Sequence, residues 1–194
     1  MAVCIAVTGG IGTGKTTLMR FFAEAGARVA DADDVAHSLY LPGQTAFDAM
    51  VARWGQEILT VDGQISRPAV AARVFADSDE LAWLDNLVHP LVRSEIQRLA
   101  GADGHPLFCA IPLLYESGWE NDFAKVIAVW CPPEVQRRRL QARHWSEQEI
   151  ARRLATQISM DEKLRRADFG VMTHCSWECL REQCRRIYQT LIAP

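Results

Sequence analysis

The stretch "VTGGIGTGKTTL", Val7 to Leu18, restricts what this chain can fold into more than any other part of it. Gly9, Gly14, Lys15 and Thr16 have the spacing of a phosphate-binding loop, with an apolar run before them and a helix-forming run after. Glycines let successive backbone N–H groups turn inward and form a concave nest for phosphate oxygens. A helix starting near Lys15 adds its positive dipole end. In such a loop Lys15 reaches the β- and γ-phosphates, and the Thr16 hydroxyl ligates Mg²⁺. The loop says that a nucleotide is held. It leaves kinases, GTPases, ATPases and pure sensors open.

The pattern around the loop is one of alternating strands and helices. Continuous apolar runs predict buried parallel strands at Val3–Val7, Leu107–Ile111 and Lys125–Trp130, with shorter strands at Arg28–Ala30 and Phe169–Met172. Helical spacing predicts helices at Thr16–Glu24, Pro133–Arg143 and Trp177–Ile192. Ser146 and Glu149 form a capping-box pattern for a helix running to about Ile158. Between Val35 and Leu99 the spacing is helical throughout, at Ala46–Trp54, Pro68–Phe75, Leu81–Leu87 and Leu91–Leu99. His89 then reads as a helix-boundary residue ahead of Pro90. A turn over Gly101–Pro106 leads back to the strands. The expected architecture is a three-layer α/β domain with a mostly parallel sheet. Its core covers about 1–34 and 105–194, with a helical insertion over about 35–104.

The second strand runs into Asp31-Ala32-Asp33-Asp34. Open parallel sheets bind ligands at the carboxyl ends of their strands, so these carboxylates are expected beside the phosphate loop. A carboxylate there can orient an acceptor hydroxyl and take its proton, or help hold a metal. Asp34 also suits the plainer role of a helix cap. A GTPase fits poorly: the chain has no Asn-Lys-x-Asp run and no Asp-x-x-Gly after a strand. The third strand carries Ala110-Ile111-Pro112, where many phosphate-loop proteins place a carboxylate.

Composition narrows the partners. The net charge of −3 gives no basic field for nucleic acid. No segment approaches the length of a membrane span, and no basic region precedes the first strand, so a cytoplasmic protein without membrane attachment is expected. Arg137, Arg138, Arg139 and Arg143, followed by Arg152 and Arg153, form either a solvated helix face or a clamp on polyanionic phosphates. Of six cysteines, Cys4, Cys109 and Cys131 fall in apolar runs and read as small hydrophobes. His174, Cys175, Cys179 and Cys184 could be metal ligands, but their spacing matches no paired zinc motif, and reduced thiols are the expectation.

Taken together, these segments resemble the dephospho-CoA kinase family over nearly the whole chain. The resemblance rests on "TGGIGTGKTT", "DADDVAH", "DGQISRPAVAARVF" (Asp62, Gly63, Arg67), "LVHPLV" (His89-Pro90), "IPLLYESG" (Pro112 to Leu114, Glu116), "QRRRLQAR" and "ATQ" (Arg139, Arg143, Gln157). It implies a P-loop kinase fold that transfers phosphate from ATP to the ribose 3′-hydroxyl of 3′-dephospho-CoA. It also implies a helical acceptor-binding insertion and an Arg-rich lid over about 137–160. ATP contacts are implied at Gly10, Ile11, Gly12, Thr13, Gly14, Lys15, Thr16, Thr17 and Arg143, with Mg²⁺ at Thr16. Catalytic roles fall to Asp33, Lys15 and Arg139, and acceptor contacts to Asp31, Arg67, His89 and Glu116. Partners are then the two small molecules alone, acting on a monomer or small homo-oligomer. Two positions depart from the pattern. Ala110 stands where an Asp is common, and His174 where Asn is expected, which implies different adenine contacts there. Two other readings stand beside this one: a kinase for another small-molecule acceptor, and a nucleotide-binding regulator without a transfer step.

Overall fold

The structure is a computed structural model, and it describes residues 3–102 and 105–192. Five strands, β1 (Cys4–Gly9), β2 (Arg28–Asp31), β3 (Leu107–Ala110), β4 (Lys125–Trp130) and β5 (Phe169–Met172), form one sheet in the order β2-β3-β1-β4-β5. Every pairing in it is parallel. β1, which feeds the phosphate loop, is central and buried on both faces, as its uninterrupted apolar sequence requires.

One sheet face carries Ile5, Val7, Phe108, Ala110, Ile127, Val129 and Val171, which share a core with α1 (Lys15–Glu24) and α9 (Trp177–Ile192). α9 lays Leu180, Cys184, Ile187 and Leu191 on that core at helical spacing. Cys184 is packed as a small hydrophobe, and burial pushes its thiol up to about 12. Following β4 come α6 (Pro133–Gln141), α7 (Glu147–Ala155) and α8 (Met160–Arg166).

The chain divides into two compact units, Met1–Asp31 with Ala100–Pro194, and Ala32–Leu99. The second is built from α2 (Ala32–Ser38), α3 (Thr45–Trp54), α4 (Arg67–Ala76) and most of α5 (Ser78–Gly101). Its core gathers Met50, Trp54, Ile58, Val70 and Val74, with Tyr40, Trp83 and Leu84 against them. Asp62-Gly63 forms the turn between the bridged residues Leu59 and Ile65, and Gly63 takes a φ of +71 that a side chain would strain.

Glu80 ties this unit together by accepting from Trp54 Nε1 at 2.7 Å and from Arg53 Nε at 2.7 Å. The Arg53 hydrogen bond, then that of Trp54, holds its carboxyl below the ordinary value of 4.5. A lowered carboxylate contributes stability that is complete above its unfolded value and lost as pH falls through the folded one. Glu80→Gln is therefore expected to be less stable than wild type at pH 7. The gap should close as pH falls below 4.5, which urea denaturation at a series of pH values checks.

Three local expectations need correction. The separate helices Leu81–Leu87 and Leu91–Leu99 are one helix, α5, with Pro90 inside it. An internal proline costs about 3 kcal/mol. Val88, Val92 and Ile96 continue one buried stripe across it, at roughly 1.5–3 kcal/mol each, so burial outweighs the break. The helix from Ser146 ends at Ala155, not Ile158. Ser146 Oγ accepts from the Glu149 N–H at 3.2 Å, but the Glu149 carboxylate pairs with Arg152 and Arg153, so only half of the capping box forms. Beyond it lies α8, an element absent from the expectations above. Of the expected 101–106 turn, Gly101 closes α5, and residues 103 and 104 lie outside the described residues.

Candidate active site

The loop from Gly10 to Gly14 joins β1 to α1 at the carboxyl edge of the sheet. Gly12 and Gly14 have φ values of +75 and +101. At Gly12 a Cβ would also stand 2.9 Å from Leu140 Cγ, so packing and backbone both demand glycine. Thr13 is fully buried, and its hydroxyl donates to the Gly10 carbonyl at 2.7 Å, closing the loop on itself. Lys15 Nζ donates to the Gly9 carbonyl at 2.8 Å, which keeps its ammonium at the loop mouth. Thr16 is exposed in the first turn of α1, and Thr17 follows it on the wall of a cleft.

That cleft, about 440 Å³, is lined by Gly12, Gly14, Thr17, Arg139, Arg143 and Thr173, together with Cys175 and Trp177. Arg139 is braced into the loop. Its Nη1 donates to the Thr13 carbonyl at 3.0 Å and to Thr173 Oγ1 at 2.9 Å, and its Nη2 to the Thr173 carbonyl at 2.8 Å. Arg143 is exposed one helical turn on. Arg137 pairs with Glu147, and Arg152 and Arg153 pair with Glu149, all on the surface.

Ile11 is gripped from two sides. Its N–H donates to Gln157 Oε1 at 3.0 Å, and its carbonyl accepts from Gln136 Nε2 at 2.6 Å. Glu116 lies in the loop after β3, where its carboxylate accepts from Lys163 Nζ at 2.8 Å and from the Ile158 N–H at 2.8 Å. Lys163 has a side chain 1% exposed and also donates to the Pro112 carbonyl at 2.7 Å. Burial pulls its ammonium below the ordinary lysine value, and the hydrogen bond it donates to Glu116 opposes that.

Asp31 ends β2, opposite Ala110 of β3. Asp33 and Asp34 stand in the first turn of α2, where carboxylates favour the helix dipole. Within the helical unit, Asp33, His37, Tyr40 and Arg67 border a groove of about 310 Å³, whose floor is Ile65, Val70, Val74 and Leu84. His89 lies inside α5, its Nε2 3.8 Å from Asp85 Oδ1. Cys175 and Cys179 each accept from Gln183 Nε2, at 3.4 and 3.7 Å, beside the exposed His174. Sequence reasoning missed Gln136, Thr173 and Lys163. For Lys163 the sequence signals only its helix, through the Ser159-x-x-Glu162 cap of α8, in which Ser159 Oγ accepts from the Glu162 N–H.

The dephospho-CoA kinase family model matches residues 3–176. The chain belongs to the dephospho-CoA kinase family. It is 42% identical over 169 residues to the dephospho-CoA kinase of Symbiobacterium thermophilum, covering 84% of this chain and 71% of that protein. It is also 42% identical over 193 residues to that of Anaeromyxobacter dehalogenans, covering 96% and 91%. Among solved structures, dephospho-CoA kinase from Campylobacter jejuni superposes with a TM-score of 0.72 at 27% identity, covering 97% of this chain and 96% of that one. The chain is thus a P-loop kinase, and its parallel sheet is the α/β fold expected of one. Among the described residues, no helix is long and apolar enough to cross a membrane.

Proposed function

We propose that this protein uses ATP to phosphorylate the ribose 3′-hydroxyl of 3′-dephospho-CoA, giving CoA and ADP as the last step of coenzyme A synthesis in the cytoplasm. The observation that carries the reading is the groove of residues 32–99. It sets a carboxylate, Asp33, and a guanidinium, Arg67, at the rim of an apolar floor. Such a lining suits an acceptor with a reacting hydroxyl, anionic phosphates and a long pantetheine arm. Family membership supports the same acceptor.

In this reading the loop from Gly10 to Thr17 cradles the ATP phosphates with the N–H groups of Gly12 and of Gly14 to Thr17 and with the Lys15 ammonium, and the cleft bordered by Arg143 takes the rest of the nucleotide. Asp33 accepts the proton of the 3′-hydroxyl as its oxygen forms the new bond to the γ-phosphorus, and the bond to the β-phosphate oxygen breaks. Asp31, at the end of β2, is the second carboxylate assigned to the acceptor. Arg67 and His89 hold the acceptor. Arg139 acts through the loop it braces, and the exposed part of residues 137–160, Arg143 included, forms a lid that excludes water.

Mg²⁺ fits the loop as an oxygen-bound ion. The exposed Thr16 hydroxyl is the protein donor, and among the described residues no three-residue cluster of His, Cys, Asp or Glu is suited to hold a metal unaided. Phosphate oxygens would complete its shell, and when bound it neutralises phosphate charge.

The test is an acceptor screen that follows ADP release with dephospho-CoA, adenosine, AMP and gluconate. Turnover is expected with dephospho-CoA alone. Faster turnover with another acceptor would overturn the assignment.

A further inference from the structure

The nest of N–H groups binds phosphate only while its peptide planes point inward, and Gly10 and Gly12 give the loop freedom to rotate them. Between those glycines stands Ile11, the residue whose N–H and carbonyl are both taken by side chains from distant parts of the chain. Gln136 comes from α6 and is buried, so helix packing fixes it. Gln157 comes from the turn between α7 and α8, where no helix fixes it.

What holds Gln157 is its neighbour. The Ile158 N–H donates to Glu116 Oε1 at 2.8 Å, and Glu116 is paired with buried Lys163 of α8. α8 is itself pinned. Trp130 Nε1 donates to Asp161 Oδ1 at 2.7 Å, and Arg166 pairs with Glu120 and stacks 4.2 Å over the Tyr115 ring. A continuous chain of charge-assisted and backbone bonds therefore runs from the core of the sheet unit to one peptide of the phosphate loop.

We propose that Gln157 and Gln136 are positioning residues for the nucleotide, and that the Glu116–Lys163 pair sets Gln157 through the Ile158 backbone. The proposal rests on the ATP-donor reading above. It assigns Glu116 to the donor side of the reaction, whereas the family resemblance places it near the acceptor.

The experiment measures kcat, both KM values and melting temperature for wild type, Gln157→Met, Glu116→Ala and the double variant. Methionine keeps the volume of glutamine and removes its oxygen, leaving the Ile11 N–H without that acceptor. We expect KM for ATP to rise about tenfold in Gln157→Met, with KM for dephospho-CoA and kcat within about twofold. Because Glu116 acts through Gln157, the double variant should have the same ATP KM as the worse single variant. An unchanged ATP KM in Gln157→Met, or equal rises in both KM values, overturns the role of Gln157. A rise confined to dephospho-CoA in Glu116→Ala, or additive effects on ATP, overturns the link from Glu116. Wild type without turnover on dephospho-CoA would instead refute the function proposed above, and ATP binding by calorimetry would still test the positioning role.

Discussion

Asp33→Asn is expected to lower kcat about 10²- to 10⁴-fold, the usual contribution of a general base, while ATP affinity changes by less than about threefold. Asparagine has the volume of aspartate and can still orient a hydroxyl, but it cannot take the proton. The side chain is exposed in the first turn of α2 and borders the groove that also carries Arg67, and asparagine keeps its volume and one acceptor oxygen there. Little stability should be lost, and a melting curve within a few degrees of wild type separates chemistry from folding. Nucleotide binding is measured by calorimetry, turnover by coupled ADP release. Unchanged turnover would remove Asp33 from the base role and leave Asp31 as the next carboxylate to test.

The second large effect falls on stability. Lys163→Met should destabilise the protein by about 3–5 kcal/mol, because it leaves the half-buried Glu116 carboxylate without its cation. It also strips the Pro112 carbonyl of its nearer donor, leaving Thr8 Oγ1 at 3.4 Å. Replacing both charges, as Lys163→Met with Glu116→Leu, should cost less than the sum of the single changes. The pair is expensive to desolvate, and an apolar pair of similar size avoids that cost. The double change still orphans the Ile158 N–H, so it should not reach wild-type stability. Urea denaturation of the three variants gives the comparison. A loss under about 1 kcal/mol in the lysine variant would show that water reaches Glu116 and that the pair is a surface contact.

These effects touch the parts of the protein that a reader of the sequence sees best and worst. Asp33 lies in "DADD", three carboxylates in four residues at a strand end, and the excess of charge was visible at once. Lys163 lies in "MDEKLRR", a run of seven with five charged residues and only Met160 and Leu164 apolar. Nothing in its periodicity distinguishes a lysine that is wholly buried from one in water. Its burial follows from where α8 lands, against β1 and β4. The same holds for Pro90, whose local preference ends a helix and whose neighbours Val88, Val92 and Ile96 keep it going.

β4 and α9 were legible to the residue because each announces itself over its whole length. β4 is a continuous apolar run, and α9 an apolar stripe sixteen residues long. The grip on Ile11 was illegible for the opposite reason. Gln136 and Gln157 lie 125 and 146 residues away from it, and a glutamine in a helix or turn carries no mark of its partner.

What the sequence by itself determined, then, was the donor machinery and the layered frame around it, since glycine spacing, strand runs and helix stripes are local and read directly. Tertiary structure alone decided how that machinery is held. Arg139 turned out to brace the phosphate loop through Thr13 and Thr173, and Glu116 to join a buried lysine. Such choices depend on which distant polar groups are brought out of water together, and a buried donor must take whatever acceptor the fold delivers to it.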